Sequence, residues 1–122
     1  MKTQELQDFA SVVFEEVADI LFNKGEDYSG EIDNLRNLKA CEKLGLITAE
    51  RGVLIRMQDK MNRLNQLLPT LEWLTNDDDE VEARRPRVKD ESIQDTCDDV
   101  IGYMILMKAL LKERAENGGG TF

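Results

Sequence analysis

A chain of 122 residues with a net charge of −9 and no histidine excludes several kinds of protein. So acidic a chain lacks the basic surface that non-specific nucleic-acid binding needs. The missing imidazole removes the commonest general base and every zinc site built on His. The length suits one domain with a modest core, and an abundance of Leu, Ala, Glu, Lys, Arg and Gln favours helices. No apolar run approaches the ~20 residues of a membrane span. The N-terminus has no basic stretch leading into an apolar one, so no signal peptide is expected, and the expected location is the cytoplasm.

Thr3 to Asn23 reads as the first helix, with Thr3 as N-cap. Leu6, Phe9, Ala10, Val13, Val17, Ile20 and Leu21 repeat at the three- and four-residue spacing of one buried face. Lys24-Gly25-Glu26-Asp27-Tyr28-Ser29-Gly30 then reads as a loop, two glycines bracketing charged and aromatic residues. It is either a binding loop or a helix C-terminal turn capped by Gly25. Asp33 reads as the cap of a short helix with Leu35, Leu38, Cys41 and Leu44 on one side and Gly45 at its end. Thr48 caps a third helix, Ala49 to Leu68, whose core stripe is Val53, Met57, Met61, Leu64 and Leu68, and Pro69 stops it. One turn around Leu71 to Leu74 follows, with Trp73 over the core.

Thr75 to Lys89 is polar and charged, contains Pro86, and reads as an exposed connection. Its acids, Asp77 to Glu80, read as a solvated loop; Arg84, Arg85, Arg87 and Lys89 either reach over a phosphate or offset neighbouring acids. Asp90 caps the last helix, which runs to about Glu113, and residues 117–122 read as a flexible tail. The expected fold is all-α: a small bundle of three main helices plus short ones, with residues 1–116 as a single domain. Cys41 and Cys97 fall among apolar residues and read as buried free thiols.

The last helix carries a comb of acids. At about 100° per residue, with Glu91 at zero, Asp95 falls at about 40°, Asp98 at about 340° and Asp99 at about 80°. The same side continues into Gly102, Leu106 and Leu110, and from Val100 onward the helix is apolar all round, the pattern of a rod buried on several sides. Carboxylates crowded at the mouth of a core need cations, protons or Arg and Lys partners. Three readings stand open: a site for Mg2+ or Mn2+, which favour hard oxygen ligands; inward Asp95 and Asp99 paired with Arg56, Lys60 or Arg63; or a solvated face. On the third helix, Arg56, Asp59, Lys60 and Arg63 recur at three- and four-residue spacings beside the core stripe. Asp59 could add a metal ligand and the three cations could hold phosphate oxygens, or the set forms i,i+4 surface pairs.

Three segments in order, KGEDY, RMQDKMNRL and DESIQDTCDDVIGYMIL, resemble the nucleotide modification associated domain type 1 family of phages and bacteria. More distantly they resemble the all-α nucleoside triphosphate pyrophosphatases, the MazG-like proteins and helical dUTPases. The likeness covers most of Lys24 to Leu106, and its most specific part is the last segment. It implies a MazG-like fold in which acids on two helices bind magnesium, hold a triphosphate and activate a water for attack on phosphorus.

Matched position by position, Asp95 and Asp99 take the acidic places of the last helix, Glu91 stands one turn before them, and Asp59 takes the acid of the third helix. Lys24, Asp27 and Tyr28 match the family's Lys-x-x-Asp-Tyr, implied to grip a base, sugar or phosphate. The superfamily's Glu-x-x-Glu on the earlier helix is here Arg56-x-x-Asp59, a cation where a ligand is expected. Glu50, or Glu15, Glu16 and Asp19 on the first helix, are the acids that could compensate.

The expectation is a Mg2+- or Mn2+-dependent pyrophosphohydrolase. It would hydrolyse a nucleoside triphosphate to monophosphate and pyrophosphate. Asp59, Glu91, Asp95 and Asp99 would be metal ligands, Asp98 or Glu91 the base, and Lys24, Asp27, Tyr28, Arg56, Lys60 and Arg63 would contact substrate. It would act as a homodimer or homotetramer in the cytoplasm, the host's if phage-encoded, without direct nucleic-acid or membrane partners. Two rivals are a non-catalytic nucleotide binder and an acidic bundle that docks a partner protein.

Overall fold

The computed structural model describes residues 1–29, 35–75 and 90–118, with side chains over 1–22, 35–75 and 93–118. Five helices make up the regular structure of these residues, and no strand occurs among them. They are α1 (Thr3–Ser29), α2 (Arg36–Lys43), α3 (Ala49–Leu67), α4 (Leu71–Thr75) and α5 (Asp90–Glu116). The all-α bundle expected from the periodicity is the fold.

α1 is 27 residues long, about 40 Å at 1.5 Å per residue. It does not stop at Asn23. The segment expected to be a loop continues the helix through Lys24, Gly25, Asp27 and Tyr28 to Ser29. A glycine inside a helix costs only about 1 kcal/mol relative to alanine, which neighbours in an established helix can carry.

α2 begins after Leu35, whose side chain makes no cap hydrogen bond; Asp33 lies outside the described residues. Its end is a Schellman turn. Gly45 adopts φ +75°, its N–H donates to the Glu42 carbonyl at 2.9 Å, and the Leu46 N–H donates to the Cys41 carbonyl at 3.1 Å. The left-handed backbone is why glycine stands there. Thr48 caps α3 as expected, its hydroxyl accepting from the Arg51 N–H at 3.3 Å. At the far end Leu68 is extended, with φ −71° and ψ 145°, because Pro69 behind it disfavours the helical region. Thr70 caps α4 by accepting from the Trp73 N–H at 3.1 Å.

α5 packs chiefly on α3, α2 packs on α3, and α1 lies against α5 and more lightly against α2. The ion pairs Glu50–Arg114 and Lys60–Asp99 show α3 and α5 running antiparallel. Leu35, Ala49, Val53 and Leu110 form the buried centre, with Leu38, Met57, Tyr103 and Leu106 packed around it. α1 crosses α5 where Gly102 leaves room: a Cβ there would stand 3.4 Å from Leu21 Cδ2 and 3.7 Å from Val17 Cγ1.

Burial is thinner than the hydrophobic pattern suggests. Of the expected α1 face, Val17 is buried and Leu21 half-buried, but Leu6, Phe9 and Ile20 are exposed. On α5, Gly102 and Leu110 are buried while Met104 is exposed and its neighbours are half-buried. α3 and α1 cover two sides of that rod and leave a third open, so it is not enclosed on all sides. Cys41 and Cys97 are free thiols, but Cys41 is exposed and Cys97 half-buried. Leu44, expected on the inner side of α2, is also exposed. The last helix continues three residues past Glu113 to Glu116. No helix among the described residues is long and apolar enough to cross a membrane.

Candidate functional site

The acids of α5 and the cations of α3 meet at one point on the seam between the helices. Lys60 Nζ lies 2.9 Å from Asp99 Oδ2, with the side chains 32% and 34% exposed. The hydrogen bond to Asp99 holds the Lys60 ammonium above the usual lysine range; partial burial pulls the other way, Tyr103 adds to the upward shift, and Arg63 opposes it. Of the three open readings of the comb, the pairing of Asp99 with Lys60 is the one whose contact is present.

The remaining expected site residues surround this pair unevenly. Asp98 is half-buried, one turn before the glycine on which α1 sits. Asp95 is exposed, as are Asp59, Arg56 and Arg63. On the α3 wheel, with Val53 at zero, Lys60 falls at about 340°, Arg56 at about 300° and Arg63 at about 280°, whereas Asp59 falls at about 240°, further from the seam. The three cations therefore share one flank of α3 beside Asp99, and Asp59 stands outside them. Thr96, between Asp95 and Asp99 on the inner side of α5, is 3% exposed. The backbone places Lys24, Asp27 and Tyr28 near the end of α1 and Glu91 in the first turn of α5. Their side chains lie outside the described residues.

Among the described residues no three His, Cys, Asp or Glu side chains stand close enough together to enclose an ion. A pair of carboxylates one helical turn apart, Asp95 and Asp99, remains. That set suits magnesium, which typically takes one or two carboxylates and completes its octahedron with water and phosphate oxygens. It does not suit calcium, which gathers six to eight oxygens.

A second polar cluster was not foreseen. At the other end of the seam, Arg114 donates from Nε to Glu50 Oε1 at 2.6 Å and pairs with Glu42. Glu42 Oε1 also accepts the Ala49 N–H at 3.0 Å. That last bond, ahead of Arg114 and Lys39, holds the Glu42 carboxyl below its ordinary range against the opposing effect of burial. Lys39 pairs with Glu113 at 2.6 Å. These groups line an open groove between α2, α3 and α5 together with Leu54 and Leu111. Their charges meet one another, which reads as a clamp joining three helix ends.

Glu50 is thereby committed elsewhere. Fifteen residues of α5, about 22 Å along the axis, separate its partner Arg114 from Asp99, so Glu50 does not supply the missing acid beside Arg56. Glu15, Glu16 and Asp19 are exposed on α1. The sequence signal for the clamp was present: an acid in the first turn of α3 and a base in the last turn of α5. Only the antiparallel packing joins them.

No protein-family model matches this chain, and no curated protein or solved structure is significantly similar to it.

Proposed function

We propose that this chain acts on nucleotides with the help of Mg2+ or Mn2+, hydrolysing a nucleoside triphosphate, canonical or modified, to monophosphate and pyrophosphate. The observation that carries the reading is the Lys60–Asp99 contact. It brings together the two segments, RMQDKMNRL and DESIQDTCDDVIGYMIL, whose order suggested nucleotide chemistry.

In this reading Asp95 and Asp99 would hold the ion, with Glu91 assisting. When bound, the ion neutralises phosphate charge and acidifies a water. Lys60, displaced from Asp99, turns its ammonium to a phosphate oxygen. Arg56 and Arg63, exposed on the same flank, offer planar forks that match phosphate oxygens two at a time. Asp98, half-buried on the same helix, takes the proton from the attacking water. Lys24, Asp27 and Tyr28 grip the base or sugar. The protein works in the cytoplasm.

The test is pyrophosphate release from a broad dNTP panel with magnesium or manganese. Turnover by the parent chain, lost in Asp95→Ala and Asp99→Ala with helicity retained, supports the proposal. A panel without turnover rejects the enzyme reading. Because Asp99 already has a cationic partner, a non-catalytic nucleotide binder is the second reading; calorimetry showing saturable binding without product selects it.

A further inference from the structure

We propose that Lys60 is an exchangeable counter-ion that couples two ligands: it neutralises Asp99 until nucleotide phosphates draw it away, so nucleotide and divalent ion each strengthen the binding of the other. The inference rests on the nucleotide reading and adds to it a dependence between the two ligands.

Both members of the pair stand in the packing seam itself. On α3, Val53, Met57, Lys60, Leu64 and Leu67 recur at alternating spacings of four and three residues, each buried or half-buried, while Arg56, Asp59 and Arg63 beside them are exposed. On α5, Thr96, Asp99, Tyr103, Leu106 and Leu110 follow the matching pattern of three and four, also buried or half-buried. Such spacing marks the inward positions of packed helices, where apolar side chains are the rule. Lys60 and Asp99 fill one layer of that seam with charge and meet there at 2.9 Å.

A charge in a half-buried seam needs a partner, and removing one member strands the other. Lys60 nonetheless has a way out. About one-third of its side chain is exposed, and a flexible four-carbon stem can stay on apolar surface while the ammonium turns to water or to an anion. Arg56 and Arg63 stand one turn before and one turn after it on the exposed flank, so phosphates gathered by the two arginines are met by Lys60 between them.

The coupling follows from what each ligand strands when it binds alone. Nucleotide alone takes Lys60 and leaves Asp99 without its cation. A divalent ion alone takes Asp99 and leaves Lys60 without its anion. With both bound, each group has exchanged one opposite charge for another and neither is stranded. The gain is shared, so each ligand tightens the other by the same factor. A pair that serves only to fix the register of α3 against α5 has no such property.

Calorimetry with the α,β-imido analogues of the four canonical dNTPs tests it, on proteins whose far-ultraviolet helix signal matches the parent. In EDTA, Asp99→Asn frees Lys60 and is expected to tighten analogue binding at least about fivefold. Asp95→Asn removes the same charge from an exposed site one turn away and should gain less than about twofold. In a Lys60→Met background Asp99→Asn should gain no more than Asp95→Asn. A second arm needs only Lys60→Met and decides the question if Asp99→Asn unfolds the chain. The factor by which the analogue strengthens Mn2+ binding should be about two- to five-fold larger in the parent than in Lys60→Met, a comparison in which chelation by the analogue itself cancels. Equal factors overturn the proposal while leaving the nucleotide reading intact, as does an Asp99→Asn gain that matches Asp95→Asn or survives Lys60→Met. No analogue binding by any of these proteins, with or without Mn2+, rejects the nucleotide reading and the coupling with it.

Discussion

Lys60 Nζ and Asp99 Oδ2 stand 2.9 Å apart, each side chain about one-third exposed, so the carboxylate best placed to hold a cation already holds one. A divalent ion at Asp99 has to displace an ammonium group. Lys60→Met is therefore expected to tighten binding of Mn2+ alone by about two- to five-fold, the equivalent of the ~0.5–1 kcal/mol that a partly exposed ion pair contributes. Asp99→Asn is expected to abolish that binding. Calorimetric titration of the three proteins reads both; weaker binding by Lys60→Met would show that Lys60 and the ion do not compete.

Two groups tie stability to pH in opposite directions. The folded pKa of Lys60 is raised above 10.5, so its contribution is complete below that value and fades as pH rises through the folded pKa. The folded pKa of Glu42 is lowered below 4.5, so its contribution is complete above that value and fades as pH falls through the folded pKa. Both side chains are partly solvated, so solvent screening keeps each effect small. Urea unfolding across pH should show both limbs, with Glu42→Gln flattening only the acid one and Lys60→Met only the alkaline one.

Arg114 joins two carboxylates through different nitrogens, Nε to Glu50 and an Nη to Glu42. Replacing it by methionine leaves those acids facing each other, and the melting temperature should fall. Lysine restores the charge but not the fork. Arg114→Lys is thus expected to melt nearer to Arg114→Met than to the parent, and full recovery by lysine would reduce the clamp to simple charge balance.

The helix crossings offer a contrast in packing. Val53 is fully buried at the centre of the α2–α3–α5 cluster, and Val53→Ala should cost about 2 kcal/mol from lost transfer energy plus the cavity. At Gly102 an added methyl meets Leu21 at ordinary contact distance while gaining about 1 kcal/mol of helix propensity, so Gly102→Ala should be neutral or stabilising. Gly102→Leu has to push α1 off α5, at about 1–3 kcal/mol. Denaturant midpoints separate the three.

The parts of this architecture that were legible in the sequence are those with local causes. Thr48, Gly45 and Pro69 mark helix ends through one hydroxyl, one left-handed backbone and one missing N–H, and each appears where expected. The stretch from Lys24 to Ser29 misled because a glycine among charges reads as punctuation, whereas a long helix absorbs its modest cost. Periodicity correctly grouped Leu6, Phe9 and Val17 on one side of α1, but a shared side does not say what covers it, and only Val17 found cover. In the candidate site, spacing placed Lys60 beside the core stripe and Asp99 on the inner comb. It could not choose among Arg56, Lys60 and Arg63 as the partner, which depends on how α5 is set against α3. The Arg114 clamp shows the same limit: its acid and its base are marked at the helix ends, but only the packing joins them.

The Glu42 carboxylate has a kinetic consequence. Its bond to the Ala49 N–H spans 7 residues, while its bond to Arg114 spans 72. The first closes a short loop and favours early pairing of α2 with α3; the second waits for the chain to return as α5, against the larger entropy of closing so long a loop. One side chain thus takes part in both an early and a late event of folding. Truncating Arg114 should chiefly accelerate unfolding, whereas breaking the cap at Ala49 should slow the refolding arm of the chevron.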